Sequence, residues 1–260
     1  MNPIGFYRNN SGTLSVQNIN INDLAKKYGT PLFIYDSGLM KERYNAFVEA
    51  TSHLNGNIHY AVKANDALSI ISYFAKLGCG ADIVSIGEFK KCVAAGVSPK
   101  KIIFSGVGKE NSEIEFALKN NVLQFNIESE EELDDIHKIA SKLKIYANIC
   151  LRVNPNIAPN THKKISTGDK STKFGINFEN VKLIYQKLHD LDYINPVGLA
   201  VHIGSQIFDF DFFSQAYSNL KSLADDLKKQ KFSVPSLDLG GGIGINYNNN
   251  IPPDFSKYKK

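Results

Sequence analysis

Ile58-His59-Tyr60-Ala61-Val62-Lys63-Ala64-Asn65 is a short apolar run that ends on a lysine. Its length and composition read as a strand, with Lys63 at the C-terminal end. It opens a series. Apolar runs recur at 81–84, 101–104, 123–127, 146–153, 197–203 and 236–239, rich in Val, Ile, Leu and Phe and not cleanly alternating. Strands buried on both faces read this way. Amphipathic segments lie between them. Residues 68–77 and 87–95 are each followed by a glycine, Gly78 and Gly96, the usual C-terminal stop of a helix. Helical spacing also fits 110–119, 128–143, 178–189 and 212–229. Repeated strand–helix units predict a parallel sheet of the α/β class. An open doubly wound sheet and a closed (β/α)8 barrel both produce that alternation. The seven strand candidates in the series, where a closed barrel needs about eight, favour an incomplete TIM-like barrel slightly.

The first 57 residues have a different period. Residues 21–28 read as a short helix stopped by Gly29, 31–36 as a strand and 38–53 as a long helix. The domain boundary is placed near residue 30, giving an N-terminal segment, 1–30, and a barrel, 31–260. Residues 154–173, with Pro155, Pro159 and Gly168, read as a long loop, either a functional lid or a surface insertion.

Composition narrows the class. In 260 residues, 43% are hydrophobic and 22% charged, a globular mixture. A net charge of +4 with scattered basic residues gives no nucleic-acid patch, and the lysines near the end read as a solvated tail. Three cysteines without metal spacing read as reduced thiols of a cytoplasmic protein, and the six histidines show no zinc-ligand spacing. No apolar run has the length of a signal peptide core or a membrane span.

Three features carry chemistry. A lysine at a buried strand end would be partly desolvated, which lowers its pKa and exposes the neutral amine that attacks an aldehyde; the alternative is a lysine that snorkels to solvent. Gly240-Gly241-Gly242 follow the last apolar run. Adjacent glycines there read as a phosphate cradle of backbone N–H groups or as a plain tight turn. A dinucleotide fingerprint is excluded, because Gly240, Gly242 and Gly244 give G-x-G-x-G and Pro252-Pro253 interrupts any helix after it. His202, in Val201-His202-Ile203-Gly204-Ser205-Gln206, could stack on an aromatic cofactor or shuttle protons, and Ser205 could donate to a phosphate.

The order of these motifs is similar to that of a known family. Tyr60-Ala61-Val62-Lys63-Ala64-Asn65, Asp82-Ile83-Val84-Ser85-Ile86-Gly87-Glu88, His202-Ile203-Gly204-Ser205-Gln206 and Leu239-Gly240-Gly241-Gly242 resemble the alanine racemase-like, fold type III pyridoxal-phosphate decarboxylases, and within them the diaminopimelate decarboxylases. The stretches 28–36 and 165–176 look like the same family, and the resemblance runs from about residue 20 to about residue 247. It implies that Lys63 carries pyridoxal 5'-phosphate covalently, that His202 stacks on its ring, that Ser205, Gly241 and Gly242 bind its phosphate, and that Asp82 is the acid near the lysine. It implies decarboxylation of meso-2,6-diaminopimelate to L-lysine by a homodimer, with decarboxylases of ornithine, arginine or carboxynorspermidine, or a non-catalytic cofactor-binding partner, as alternatives. The family continues with an eighth strand, whose acid pairs with the ring nitrogen, and a C-terminal β-domain that encloses the site, and the resemblance makes residues 1–30 a part of that β-domain. The expectation is therefore a shortened chain, inactive by itself.

Overall fold

The computed structural model describes residues 5–155, 157, 174–247 and 253–259. The expected loop at 154–173, including the 165–173 part of the motif, lies almost wholly outside them. The chain packs as two compact units, Met1–Asn55 with Ile245–Lys260, and Gly56–Gly244. The boundary expected near residue 30 falls inside the first.

In the first unit, strands β1 (Phe6–Arg8), β2 (Leu14–Val16) and β3 (Ile19–Asn20) form an antiparallel sheet. Gln17 and Asn18 join β2 to β3, both at positive φ (45° and 65°), as a tight hairpin turn requires. Helix α1 (Ile21–Tyr28) starts where Asn20 accepts a bond from Asn22 N–H and stops at Gly29, as its sequence predicts. Helix α2 (Ser37–Ala50) is capped by Asp36, and its Phe47 ring meets those of Phe255 and Tyr258 edge-on, each 5.4 Å away. The strand expected over 31–36 does not form. Leu32, Phe33 and Tyr35 have the side chains of a strand, but all three are exposed, Phe33 by 85%, and no neighbouring strand hydrogen-bonds the segment. Without a pairing edge, β-propensity alone does not make a strand.

The second unit holds the seven expected parallel strands: β4 (His59–Ala61), β5 (Gly80–Ile83), β6 (Ile102–Phe104), β7 (Gln124–Ile127), β8 (Ala147–Asn154), β10 (Ile194–Val201) and β11 (Ser236–Asp238). A two-residue strand, β9 (Ile176–Asn177), adds to β8. Helices α3 (Leu68–Lys76), α4 (Ile86–Ala94), α5 (Asn111–Lys119), α6 (Glu130–Leu143), α7 (Val181–Leu188) and α8 (Phe210–Lys229) connect or follow them. Among the described residues no helix is long and apolar enough to cross a membrane.

Topology decides between the two sheets left open above. The strands run in chain order from β4 to β11, without the reversal that defines a doubly wound sheet. With right-handed crossovers, sequential order puts every helix on one face, and the sheet curls around the other. One hydrogen bond measures the curl. Asn126 on β7 donates to Asp238 on β11 at 2.8 Å, although β8 and β10 lie between those strands. Three strand spacings in a flat sheet would hold their backbones about 14 Å apart. The sheet is a curled, incomplete barrel.

The helix side of the strands carries the apolar core, including Ile83, Phe104, Phe125, Ile127, Ile149, Leu151 and Leu199, all fully buried. The alternate positions face the concave interior, and they carry the polar residues.

Candidate active site

Lys63 lies in the single 3-10 turn, Val62–Ala64, that ends β4. The surrounding motif closes on itself. Asn65 N–H returns to the Val62 carbonyl (3.0 Å), and Tyr60 Oη donates to the Asn65 carbonyl (3.1 Å). Asn65 Oδ1 accepts from Ala67 N–H at the head of α3 (3.0 Å), and Tyr60 stacks on Phe74 of that helix, ring centroids 4.5 Å apart. Tyr60 and Asn65 thus fix the turn, buried Val62 anchors it, and Lys63 projects from it. The desolvation expected for Lys63 is absent: its side chain is exposed. β4 is an edge strand with β5 as its one hydrogen-bonded neighbour, so the turn is flanked by a strand on one side only.

Across the concave face runs a chain of polar side chains. Asp82 on β5 accepts from Ser105 Oγ (2.6 Å). Asn126 Nδ2 donates to Ser105 Oγ (3.2 Å) and to Asp238 Oδ2 (2.8 Å), and its Oδ1 accepts from Gln124 (2.9 Å). Asp238 Oδ1 takes the Gly240 N–H (2.9 Å). Burial pushes the Asp82 carboxyl up to about 6; the Ser105 bond, Lys63 and Arg152 pull the other way, and the Asp238 charge adds to the rise. Asp82 therefore shares its proton near neutrality, within the field of Lys63.

His202 stands one residue beyond β10 and is half-buried. Burial, with the positive charges of Arg152 and Lys63, pushes its imidazole down to about 3. The ring is neutral throughout the working pH range. Its Nδ1 accepts the Gly241 N–H in a long bond of 3.4 Å, which leaves the proton on Nε2. Arg152 of β8 is itself held by Glu128 (2.6 Å) and lies over the Phe174 ring, 5.3 Å from its centroid.

The glycines and the Ser205 turn form one strap. Ile207 N–H donates to the Gly242 carbonyl (2.9 Å), and Gly244 N–H donates to that of Ile207 (2.8 Å). At Gly242, with φ +104°, a Cβ would lie 1.9 Å from the Gly204 carbonyl oxygen, so glycine is demanded there by backbone against backbone. A Cβ on Gly241 would meet nothing within 4 Å. Gly241 is the glycine of the cluster that faces open space, and Ser205 stands half-buried in the turn beside it.

Lys63, Asp82 and His202 are thus joined electrostatically, and Ser205, Gly241 and Gly242 share a strap that touches His202. Sequence reasoning missed Ser105, Asn126, Arg152 and Asp238. Their signal was present: Asn126 between Phe125 and Ile127, Arg152 between Leu151 and Val153, and Asp238 between Leu237 and Leu239 each place one polar residue at the alternate position of an apolar run. Together these residues offer an amine, a neutral imidazole face, an acid that exchanges its proton near neutrality and a turn rich in N–H groups.

A family model described as "Pyridoxal-dependent decarboxylase, pyridoxal binding domain" matches residues 37–260. The diaminopimelate decarboxylase of Vibrio cholerae is 40% identical over 249 residues, 96% of this chain and 60% of that protein. The same enzyme of Neisseria meningitidis serogroup A is 42% identical over 246 residues, 95% of this chain and 61% of that protein. The crystal structure of diaminopimelate decarboxylase from Helicobacter pylori complexed with L-lysine superposes with a TM-score of 0.89 at 39% identity, covering 92% of this chain and 61% of that one. The chain spans about three fifths of the length of these relatives.

Proposed function

The chain belongs to the pyridoxal-dependent decarboxylases, and from that premise we propose that its 260 residues form the lysine-bearing part of a diaminopimelate decarboxylase, which converts meso-2,6-diaminopimelate to L-lysine and carbon dioxide. The substrate rests on the names of relatives about 40% identical over nearly the whole chain. It rests also on the L-lysine in the H. pylori complex, since a product so held reports the shape of the site. By the family resemblance the full-length form is expected to work in the cytoplasm as a homodimer and to take an amino acid, not a nucleic acid, as its ligand.

The residues present fit pyridoxal phosphate. Lys63 supplies the amine for its aldehyde. His202 lies neutral, with an apolar imidazole face to offer an aromatic ring rather than a charge that would repel a pyridinium. Gly241 leaves open the space that a phosphate needs, and the resemblance adds the Ser205 hydroxyl as a donor to it. When bound, the cofactor supplies an electron sink for the charge left when a carboxylate departs. The chain's own part is to bind and orient. Lys63 would hold the group covalently through its amine. Asp82, with a carboxyl near 6, keeps a negative charge within the field of Lys63 above that pH and accepts a proton below it. Ser105 and Asn126 keep that carboxylate in one place. By the family resemblance the acid that pairs with the ring nitrogen lies on a further strand, so these 260 residues by themselves are expected to bind the cofactor without sustaining turnover.

The single observation that carries the reading is Lys63 at a strand end facing an acid of raised proton affinity and a neutral histidine. The test uses the chain loaded with pyridoxal phosphate. meso-Diaminopimelate should change the cofactor absorbance at lower concentration than ornithine or arginine. A preference for either of those would overturn the substrate assignment. Carbon dioxide release by the chain alone within tenfold of a full-length relative would overturn its expected inactivity.

A further inference from the structure

Lys109 follows β6 on the way to α5, and its side chain is 1% exposed. The chemistry above makes no use of it. Its ammonium has three protons and three acceptors: the carbonyls of Gly106 (2.8 Å) and Asn126 (2.9 Å) and Glu132 Oε1 (2.6 Å). It also lies 5.6 Å from the centroid of the Phe104 ring. A buried ammonium is costly to desolvate and persists only where its surroundings saturate it, as here.

What Lys109 holds gives it meaning. Asn126 is the residue whose side chain links Ser105, and through it Asp82, to Asp238. Glu132 turns its second oxygen to the Glu128 N–H (2.9 Å). The Glu128 carboxylate in turn takes Arg152 (2.6 Å) and the Gly175 N–H (3.1 Å). From one point, Lys109 braces Asp82 on one side and Arg152 on the other. The Arg152 charge acts on both Asp82 and His202.

We propose that Lys109 is a positioning residue of the cofactor site, fixing Asp82 through the Asn126 carbonyl and Arg152 through Glu132 and Glu128. The proposal rests on the reading that Lys63 carries pyridoxal phosphate. A brace that served stability alone would leave the chemistry of Lys63 unchanged once stability was restored. A positioning residue would not.

The experiment compares the parent chain with Lys109→Met/Glu132→Gln and with Glu132→Gln alone. The double variant removes the ammonium and also the carboxylate that would otherwise be stranded, so folding is spared while the bonds to both carbonyls are lost. Each protein is titrated with pyridoxal phosphate from pH 5 to 9, attachment at Lys63 being read by absorbance and by borohydride trapping. The groups that face Asp82 are Ser105, Asp238, Lys63 and Arg152, with His202 sharing the last two. A loosened Ser105 bond lets Asp82 keep its proton to higher pH. The double variant should therefore show an attachment midpoint raised by about half a pH unit and an affinity about tenfold weaker, as for a slightly misplaced group. Glu132→Gln alone keeps Lys109 on both carbonyls and weakens only the arm to Arg152, so it should shift less than the double variant. A double variant with the parent's midpoint and affinity would overturn the proposal, as would a single variant shifted as far as the double. Failure of the parent to attach the cofactor at Lys63 would instead overturn the functional reading on which it rests.

Discussion

Asp82→Asn should make this protein more stable and less able to bind its cofactor. The asparagine keeps an oxygen for Ser105 Oγ, which now bonds Asp82 Oδ1 at 2.6 Å, and it removes a carboxylate that burial and Asp238 disfavour. Asp82 titrates near 6 in the fold against an ordinary 3.8. Its folded-state value is raised, so the stability it gains by holding a proton is complete below pH 4 and is lost as pH rises through 6. A difference of about two pH units corresponds to about 3 kcal/mol above pH 7. The advantage of the variant should thus be near zero at pH 4 and grow to about 3 kcal/mol by pH 7.5. For a unit of this size that raises the melting temperature by about 6 °C or more. Thermal unfolding followed by circular dichroism at several pH values measures it, with pyridoxal phosphate affinity measured on the same samples. Equal melting temperatures at pH 7.5, or a difference independent of pH, would refute the burial argument. Unchanged cofactor affinity would remove Asp82 from the site.

The remaining predictions concern the other side of the barrel mouth and its floor. Gly242→Ala should destabilise the chain by about 2 kcal/mol or more, because its Cβ lies 1.9 Å from the Gly204 oxygen at a left-handed φ; a variant as stable as the parent in urea titration would contradict the strap. Gly241→Val, with no atom within 4 Å of its Cβ, should leave stability within about 0.5 kcal/mol and weaken the cofactor at least severalfold, as read by equilibrium titration. His202 should show no imidazole titration between pH 5 and 8 in NMR, since it stays neutral down to about 3. Asn126→Ala should cost about 3 kcal/mol in urea unfolding, by removing its bond to the Asp238 carboxylate and its weaker bond to Ser105.

Strand count and order were legible because each strand is a dense apolar run closed by a helix with a recognisable stop. Gly78 and Gly96, at φ +101° and +95°, mark two of those stops. The curl into an incomplete barrel was only slightly favoured by the pattern, since curl depends on crossovers all taking one direction, and period says nothing about direction. The strands β1 to β3, in a segment the resemblance assigned to a β-domain, were not placed one by one because strands of two or three residues have no measurable period. Residues 31–36 misled for the opposite reason: good strand formers with no edge to pair with. At the site, Lys63, His202 and the glycines were legible as motifs, and the exposure of Lys63 was not, because it depends on neighbouring strands rather than on its own. The inner row that joins Asp82 to Ser105, Asn126, Arg152 and Asp238 was legible only at Asp82, through the family resemblance; the other four were hidden by treating apolar runs as uniform. Its members come from five strands or strand ends, and only the curl brings them together. Gly242 was expected to bind a phosphate through its backbone; the close approach of the Gly204 carbonyl is a second, structural reason for a glycine there.

The central claim is that Lys63 is the covalent cofactor residue, and one measurement addresses it most directly. The chain is incubated with pyridoxal phosphate, reduced with borohydride, digested and mapped by mass spectrometry, beside Lys63→Ala. The account predicts a pyridoxyl group concentrated on the peptide that carries Lys63 and lost in the variant. Modification spread over the surface lysines, at the same level in both proteins, would contradict it.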